Sequence, residues 1–449
     1  MNDNKVKVNW LNVIFNSEFQ DSLDKNTLIN VSILSKLVRE KLKPVLFKNI
    51  QLSSRKFQNE FKDNIFIEYF NCVADPDLYD SINREEEGEG IESGLEDFGF
   101  GLSSIKDIAR SFYFSDLNRA GYYLISMFNS MSNLTILKLS YSFIPYSSFT
   151  KLGELLPNLK EIKLISATLA KLPANSIWLD NFVFPPNLNI LEIYDCRVIT
   201  SRLFLDPYEF LFNEFTRAPR IDFTLPNVQV PSLKKLSFFS YTAHDNGLKP
   251  FIETNSNLES LNTGIFHSDL VNSLTSLKTL EIDILSNLDD IDHIPILNCV
   301  KNLKIYTVSP RYYENIKKLC LICPNLQSLG LNMSYDDNFQ HLINSFLAPI
   351  MANLHQLKTL RLHFIINETE NINIENFSDI ESIIIETKST TILNLSFEGC
   401  KDLKRIIFKS YTGDINTQEF KDRFNSYKNW VFKFSTNTIR GHKLLKCPF

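Results

Sequence analysis

Leu134-Thr135-Ile136-Leu137-Lys138-Leu139, Leu159-Lys160-Glu161-Ile162-Lys163-Leu164 and Leu188-Asn189-Ile190-Leu191-Glu192-Ile193 repeat one phrase, Leu-x-x-Leu-x-Leu. Further copies begin at Leu233, Leu258, Leu277, Val300, Leu326, Leu357, Ile380 and Leu403. Most are spaced by about two dozen residues, a period at which no unit can bury its own apolar side, so copies must stack into an extended solenoid. Within each phrase the strand period of two puts the last two apolar residues on the packed side and the residue between them on the open side. Residues 312–323, ahead of Pro324-Asn325-Leu326, and residues 341–357 are amphipathic and predict helices between strands. The order helix, tight loop, strand predicts an α/β fold over residues 131–410, a curved parallel sheet lined outside by helices. The long interval from Leu188 to Leu233 predicts a worn unit at residues 221–225.

The rest of the chain reads differently. Residues 1–52 predict a small helical module: Phe15, Phe19 and Leu23 recur at helical spacing, and Asp24 can cap a second helix bearing Leu28, Val31, Leu34 and Leu37. Pro44 is expected to end or bend what precedes it. Residues 53–130 form a linker in which 61–70 suit either a strand or a helix, and 105–128 suit a degenerate first repeat. Between Asp75 and Asp97 the chain carries ten acidic residues and one Arg, and that like-charge run predicts a mobile loop. Residues 411–449 lack the repeat, and Trp430 within residues 420–434 is expected to cover the open end of the stack.

Bulk composition excludes several functions. Of 449 residues, 44% are hydrophobic and 22% charged, the profile of an ordinary folded chain. The net charge of −5 becomes +4 once the −9 of residues 75–97 is set aside, too weak a bias to argue for nucleic acid. The uncharged stretches, 120–137 and 338–357, carry Asn, Ser, Gln or His throughout and would sit poorly in a membrane. No secretory pattern follows Met1, and seven cysteines, an odd number, do not suit a disulfide framework. The expected location is therefore intracellular, cytoplasmic or nuclear.

Two resemblances add to this. The repeat, with its Pro-Asn-Leu openings and the Cys of Leu191-Glu192-Ile193-Tyr194-Asp195-Cys196, resembles intracellular leucine-rich repeats of the cysteine-containing, ribonuclease-inhibitor-like kind. The N-terminal module resembles an F-box. Leu11-Asn12 stands where that family opens with Leu-Pro, and Phe15, Phe19 and Leu23 fall on the apolar positions of the first helix. Leu28, Val31, Ser32, Ile33, Leu34, Ser35 and Lys36 follow the second-helix pattern, with Leu37 in place of Trp. The segment Leu46-Phe47-Lys48-Asn49-Ile50 resembles the closing segment. An F-box joined to such repeats implies the substrate receptor of a cullin-RING (SCF-type) ubiquitin ligase. Leu11, Phe15, Phe19, Leu23, Leu28, Val31, Leu34 and Leu37 would then dock the adaptor, and the repeats would hold a protein substrate. Without a ligase link, the same solenoid suits a scaffold, an inhibitor or a GTPase-regulating protein whose N-terminal helices cap the stack.

Candidate chemistry is sparse. Cys320-Leu321-Ile322-Cys323 has metal or redox spacing, but no second pair lies at ligand distance, so both read as core cysteines. The seven histidines show no ligand spacing, and no nucleophile elbow or phosphate-cradling loop occurs. No enzyme, cofactor, metal or small-molecule substrate is expected. The open face offers Tyr194, Phe239, Tyr306, Arg361, His363, Ile384 and Ile407 as anchors for a protein partner. Lys160, Lys234, Lys278, Lys301, Lys358 and Lys404 share one repeat position and would line an edge.

Overall fold

A computed structural model describes residues 10–53, 95–96, 98–172, 181–201, 207, 210–211, 218–240, 246–285, 295–333, 339–365, 371–375, 377 and 379–444. Residues 61–70 and nearly all of the acidic segment 75–97 lie outside them. The chain divides into two compact units, Met1–Leu233 with Ser240–Asn246, and Lys234–Phe239 with Gly247–Phe449.

The first unit opens with helices α1 (Trp10–Ile14), α2 (Ser17–Ser22), α3 (Lys25–Ile33) and α4 (Lys36–Leu46). Each of the last three starts at a polar cap: Asn16 accepts from Phe19 N, Asp24 from Thr27 N and Ser35 from Val38 N. These bonds satisfy donors that a helix start leaves orphaned, which is why the short helices separate there. Pro44 does not stop α4, which runs on to Leu46, because it falls in the final turn, where few backbone bonds remain to lose. Leu28, Val38, Leu42 and Leu46 close over one another as the module's own core.

Strand β1 (Asn49–Ser53) follows and pairs in parallel with β2 (Ser111–Asn118), across more than fifty intervening residues. The sheet continues in parallel through β3 (Ile136–Pro145) and β4 (Glu161–Ile165). From β3 onward a second ladder starts beyond the main-sheet strands. It joins the end of β3 to β5 (Thr168–Lys171), and after β6 (Ile190–Tyr194) it continues to β7 (Arg197–Thr200). β6 itself extends the main sheet from β4.

Left-handed residues make the turn between the two ladders at Tyr141, Ser166 and Asp195, with φ of 47, 48 and 50°, and Asp116, with φ of 58°, stands where the register of β2 with β3 shifts. Asp tolerates this conformation because its short side chain bonds locally. For Tyr141 it costs roughly 1–2 kcal/mol. β8 (Arg220–Asp222) pairs antiparallel with β7, so residues 221–225 do not supply a parallel strand of the main sheet. The connections of this unit thus carry short strands as well as short helices, among them Ala120–Leu124 and Tyr146–Thr150, and β-branched Val198 and Ile199 suit the strand β7.

The second unit is the more regular. β9 (Lys235–Phe239), β10 (Ser260–Phe266), β11 (Thr279–Leu285), β12 (Asn302–Val308), β13 (Ser328–Met333) and β14 (Thr359–Phe364) pair successively in parallel. Beyond them lie β15 (Ile372–Asn373), β16 (Ser382–Thr387), β17 (Leu395–Ser396) and β18 (Arg405–Ser410). β16 and β18 extend the main sheet, while β15 and β17 pair outside it.

The register aligns the repeated phrase. Leu236, Leu261, Leu280, Leu303, Leu329, Leu360, Ile383 and Ile406 face one another strand to strand, none more than 2% exposed. The connections include longer helices, among them Leu248–Thr254, Tyr313–Leu321 and Ala348–Asn353. This is a leucine-rich-repeat solenoid of the α/β class, defined by a mostly parallel sheet in which each repeat supplies one rung. A final helix, Gln418–Asn425, precedes a hairpin of β19 (Trp430–Ser435) and β20 (Thr438–Lys443). β20 pairs antiparallel with β18 and takes up its free edge.

Candidate partner-binding surfaces

On the open side of the second unit the register sets side chains in rows. The middle row runs Ser237, Asn262, Glu281, Lys304, Gly330, Arg361, Ile384 and Ile407. Two residues further along their strands stand Asp283, Tyr306, Asn332, His363, Glu386 and Lys409. Tyr306 donates its hydroxyl to Glu281 Oε2 at 2.5 Å, and Thr307 bonds Asp283 at 2.9 Å. His363 Nδ1 lies 2.6 Å from Asn332 Oδ1, and Tyr411 packs against the imidazole with ring centroids 5.9 Å apart. Lys304 Nζ sits 4.0 Å from the Tyr306 ring centroid, an attraction to the negative face of the ring.

Tyr306 on β12, Arg361 and His363 on β14, and Ile384 on β16 thus line one depression, with Gly330 and Asn332 of β13 between them. Ile407 keeps their row but is only 7% exposed, lying in register between Ile384 and Arg440 of β20. Phe239, half-buried, closes on Gly264, whose added Cβ would lie 3.3 Å from the Phe239 ring. Tyr194 belongs to the face of the first unit. There Lys138 pairs with Glu161 at 2.7 Å and Lys163 with Glu192 at 2.9 Å, and Lys163 Nζ stands 5.4 Å from the Tyr194 ring.

The lysine edge is partly neutralised. Backbone bonds string Lys234, Glu259, Lys278, Lys301, Gln327, Lys358, Glu381 and Lys404 along one side of the second unit. Glu259 lies between Lys234 and Lys278 at 3.2 and 2.7 Å, and Glu381 between Lys358 and Lys404 at 3.7 and 3.0 Å. Hydrogen bonds from Lys278 and Lys404, respectively, hold the two carboxyls below the usual carboxylate range. Both side chains are half-exposed, so the pairs set surface charge more than stability. Because the folded values are lowered, any stabilisation is present above the ordinary value of 4.5 and is lost as pH falls through the folded values. Glu259→Gln with Glu381→Gln should therefore bind a cation exchanger more strongly at pH 7. Its urea midpoint should lie no more than slightly below that of the unaltered chain at pH 7 and match it at pH 3. A large midpoint loss at pH 3 would contradict this.

The N-terminal module presents two kinds of side chain. Leu28 is buried, and Phe15, Leu23 and Val31 pack partly buried around it. Phe19 is half-buried. Leu11, Leu34 and Leu37 are 42, 71 and 55% exposed, and Ile33, 63% exposed, joins the last two at the corner between α3 and α4. These large apolar side chains stand in solvent rather than in the module's core.

Cys196 and Cys400 are buried, each donating its thiol to a backbone carbonyl, of Tyr194 and Ile374 respectively. Burial pushes the Cys320 thiol upward and that of Cys323 to about 12, which keeps both protonated and unreactive. No group of three or more metal-ligating side chains occurs among the described residues. Among the same residues no helix is long and apolar enough to cross a membrane.

Lining up the copies two residues beyond the middle row would have brought Asp283, Asn332, Glu386 and Lys409 to notice. Nothing in the repeat marks Tyr411, which lies past the end of β18. Glu259 and Glu381 occupy the same repeat position as the lysines, but sequence alone does not show that each would sit between two of them.

No protein-family model matches the chain, and no curated protein does. Among solved structures it is similar to a leucine-rich-repeat protein of Leptospira interrogans, at 17% identity, over 67% of this chain and 72% of that one, with a TM-score of 0.33. An internalin of Listeria monocytogenes matches at 15% identity over 62% and 75%, with a TM-score of 0.30. A plant peptide hormone receptor matches at 14% identity over 66% and 51%, with a TM-score of 0.27.

Proposed function

We propose that the chain is a non-catalytic protein receptor, the substrate-recognition subunit of a cullin-RING ubiquitin ligase. Its helical module docks the ligase adaptor and its repeats hold a protein substrate, with no nucleic acid, membrane or cofactor involved. The observation that carries this reading is the exposed corner of Ile33, Leu34 and Leu37. The module's core of Leu28, Val38, Leu42 and Leu46 is already complete, so the outer residues are free to serve a partner. An amphipathic helical ridge of this kind suits an apolar groove.

The full chain, tagged and purified from cells, should bring down a cullin adaptor. Leu34→Asp with Leu37→Asp should lower retention at least about thirtyfold, the effect of losing a hot spot, while leaving the circular dichroism unchanged. Failure of the unaltered chain to retain adaptor would end the ligase reading. A second reading then takes its place, favoured by the pairing of β1 with β2: a scaffold or inhibitor whose N-terminal helices and strand cap the first repeat.

A further inference from the structure

We propose that the open face of the second unit holds an anion-accepting notch over Gly330, and that it takes an aspartate or glutamate side chain of the partner protein. The inference rests on the reading of the chain as a protein receptor, though not on its link to a ligase.

Lys304, Gly330 and Arg361 are consecutive members of one row, fixed by the register of β12, β13 and β14. A Cβ on Gly330 would lie 3.1 Å from Lys304 Cγ and 3.8 Å from Arg361 Cβ, so only a glycine lets the two cationic stems flank this point so closely, below the depressions they line. Adjacent strands lie about 4.8 Å apart, which sets the stems roughly 9.6 Å from each other. That span admits one carboxylate with charge-assisted bonds of about 2.8 Å on either side. Two depressions of about 290 and 250 Å³ meet here and share Lys304, Gly330 and Arg361.

Glu281 and Glu386 also line the two depressions, but Glu281 accepts from Tyr306 and Glu386 faces Lys409, which leaves the two cations over Gly330 without a carboxylate partner among the described residues. Lys138, Lys163 and Lys409 each reach a carboxylate, of Glu161, Glu192 and Glu386, at 2.7, 2.9 and 3.9 Å. Among the described residues neither Lys304 nor Arg361 pairs with any. Two like charges facing one gap raise the local potential and draw an anion in. Arg361 can grip both carboxylate oxygens with its planar fork, while Lys304, steadied on the Tyr306 ring, supplies a point charge. Tyr306 and Ile384 add aromatic and apolar walls that suit the residues flanking an acid in a peptide. Free phosphate would leave those walls unused.

The test uses the full chain and a dye-labelled peptide in which glutamates alternate with leucine and tyrosine, beside the same peptide with glutamines. Fluorescence anisotropy should show the glutamate peptide binding at least about tenfold tighter. That preference should shrink as salt shortens the screening length. Arg361→Ala and Lys304→Ala should each weaken binding about tenfold. Gly330→Glu, which sets a carboxylate between the cations, should abolish it with the circular dichroism unchanged.

Equal affinity for the two peptides would overturn the proposal. So would full affinity in the Lys304→Ala, Arg361→Ala double variant, or displacement of the peptide by inorganic phosphate at lower concentration than by free glutamate. Adaptor retention, measured on the same variants, should not change, so failure of the notch and failure of the ligase reading are told apart.

Discussion

Phe112→Ala should cost the first unit about 3–5 kcal/mol, seen as a lower urea midpoint. Phe112 is fully buried, with ring centroids 4.8 Å from Phe114 and 4.7 Å from Phe128, both edge-on. Phe114 stands on the same strand, and Phe128 on the short turn of 3₁₀ helix, Ile125–Ser130, that returns the chain toward β3. Removing the ring leaves a void that neither neighbour can fill without moving a strand. Gln51→Ala, on an exposed residue one position along the partner strand β1, should change stability by no more than about 0.5 kcal/mol. Equal losses in the two variants would show that β1 and β2 are not packed in this register.

Gly441→Val should free the C-terminal hairpin. Gly441 lies in register between Ile406 and Phe432, and the Phe432 ring crosses the space its side chain would need. An added Cβ would come 2.8 Å from Phe432 Cδ1 and 2.9 Å from Ile406 Cγ2. Overpacking of this kind costs about 1–3 kcal/mol, and here it falls on a single hairpin. Phe432 also touches Phe424, Tyr427 and Trp430, so displacing it loosens the aromatic cluster that holds the terminal helix. With β20 gone, β18 becomes an open edge with unpaired backbone groups, a template for another chain. The variant should lose its C-terminal segment early under limited proteolysis and elute as concentration-dependent oligomers. A hairpin as protected as in the unaltered chain would refute this.

What the sequence shows of this protein follows burial. The Leu rows are legible because a one-residue slip would expose a whole apolar set, so the pattern fixes which side of each strand is packed. The same logic places Lys304 and Arg361 on the open face without knowledge of any contact. β1 was hidden because Asn49-Ile50-Gln51-Leu52-Ser53 is short and polar, and its partner lies far downstream. The outer strands Thr168–Lys171 and Arg197–Thr200 were hidden because four residues carry too little periodicity to separate a strand from a loop. The left-handed turn at Tyr141 is invisible, since Tyr is a poor choice there and tertiary packing overrides its preference. At Ile407 the period gives the row, but exposure depends on a hairpin some thirty residues later in the chain. The notch has the same character: Gly330 in a strand reads as a weakness until its neighbours are known to be Lys304 and Arg361.

The alignment of the rungs also constrains the shape of whatever lies across them. Rungs recur about every 4.8 Å, while an extended β-strand advances about 3.3 Å per residue and alternates its sides. A segment crossing the strands of the second unit at right angles as a β-strand therefore drifts out of phase and turns alternate sides to the face. A polyproline II segment advances about 3.1 Å per residue with three residues per turn, or about 9.3 Å per turn. That is close to two rungs, roughly 9.6 Å. Every third side chain of such a segment would meet the same row, two strands further on. The rungs of the second unit are thus a ruler graduated for a three-fold left-handed chain rather than for a β-strand laid in that direction.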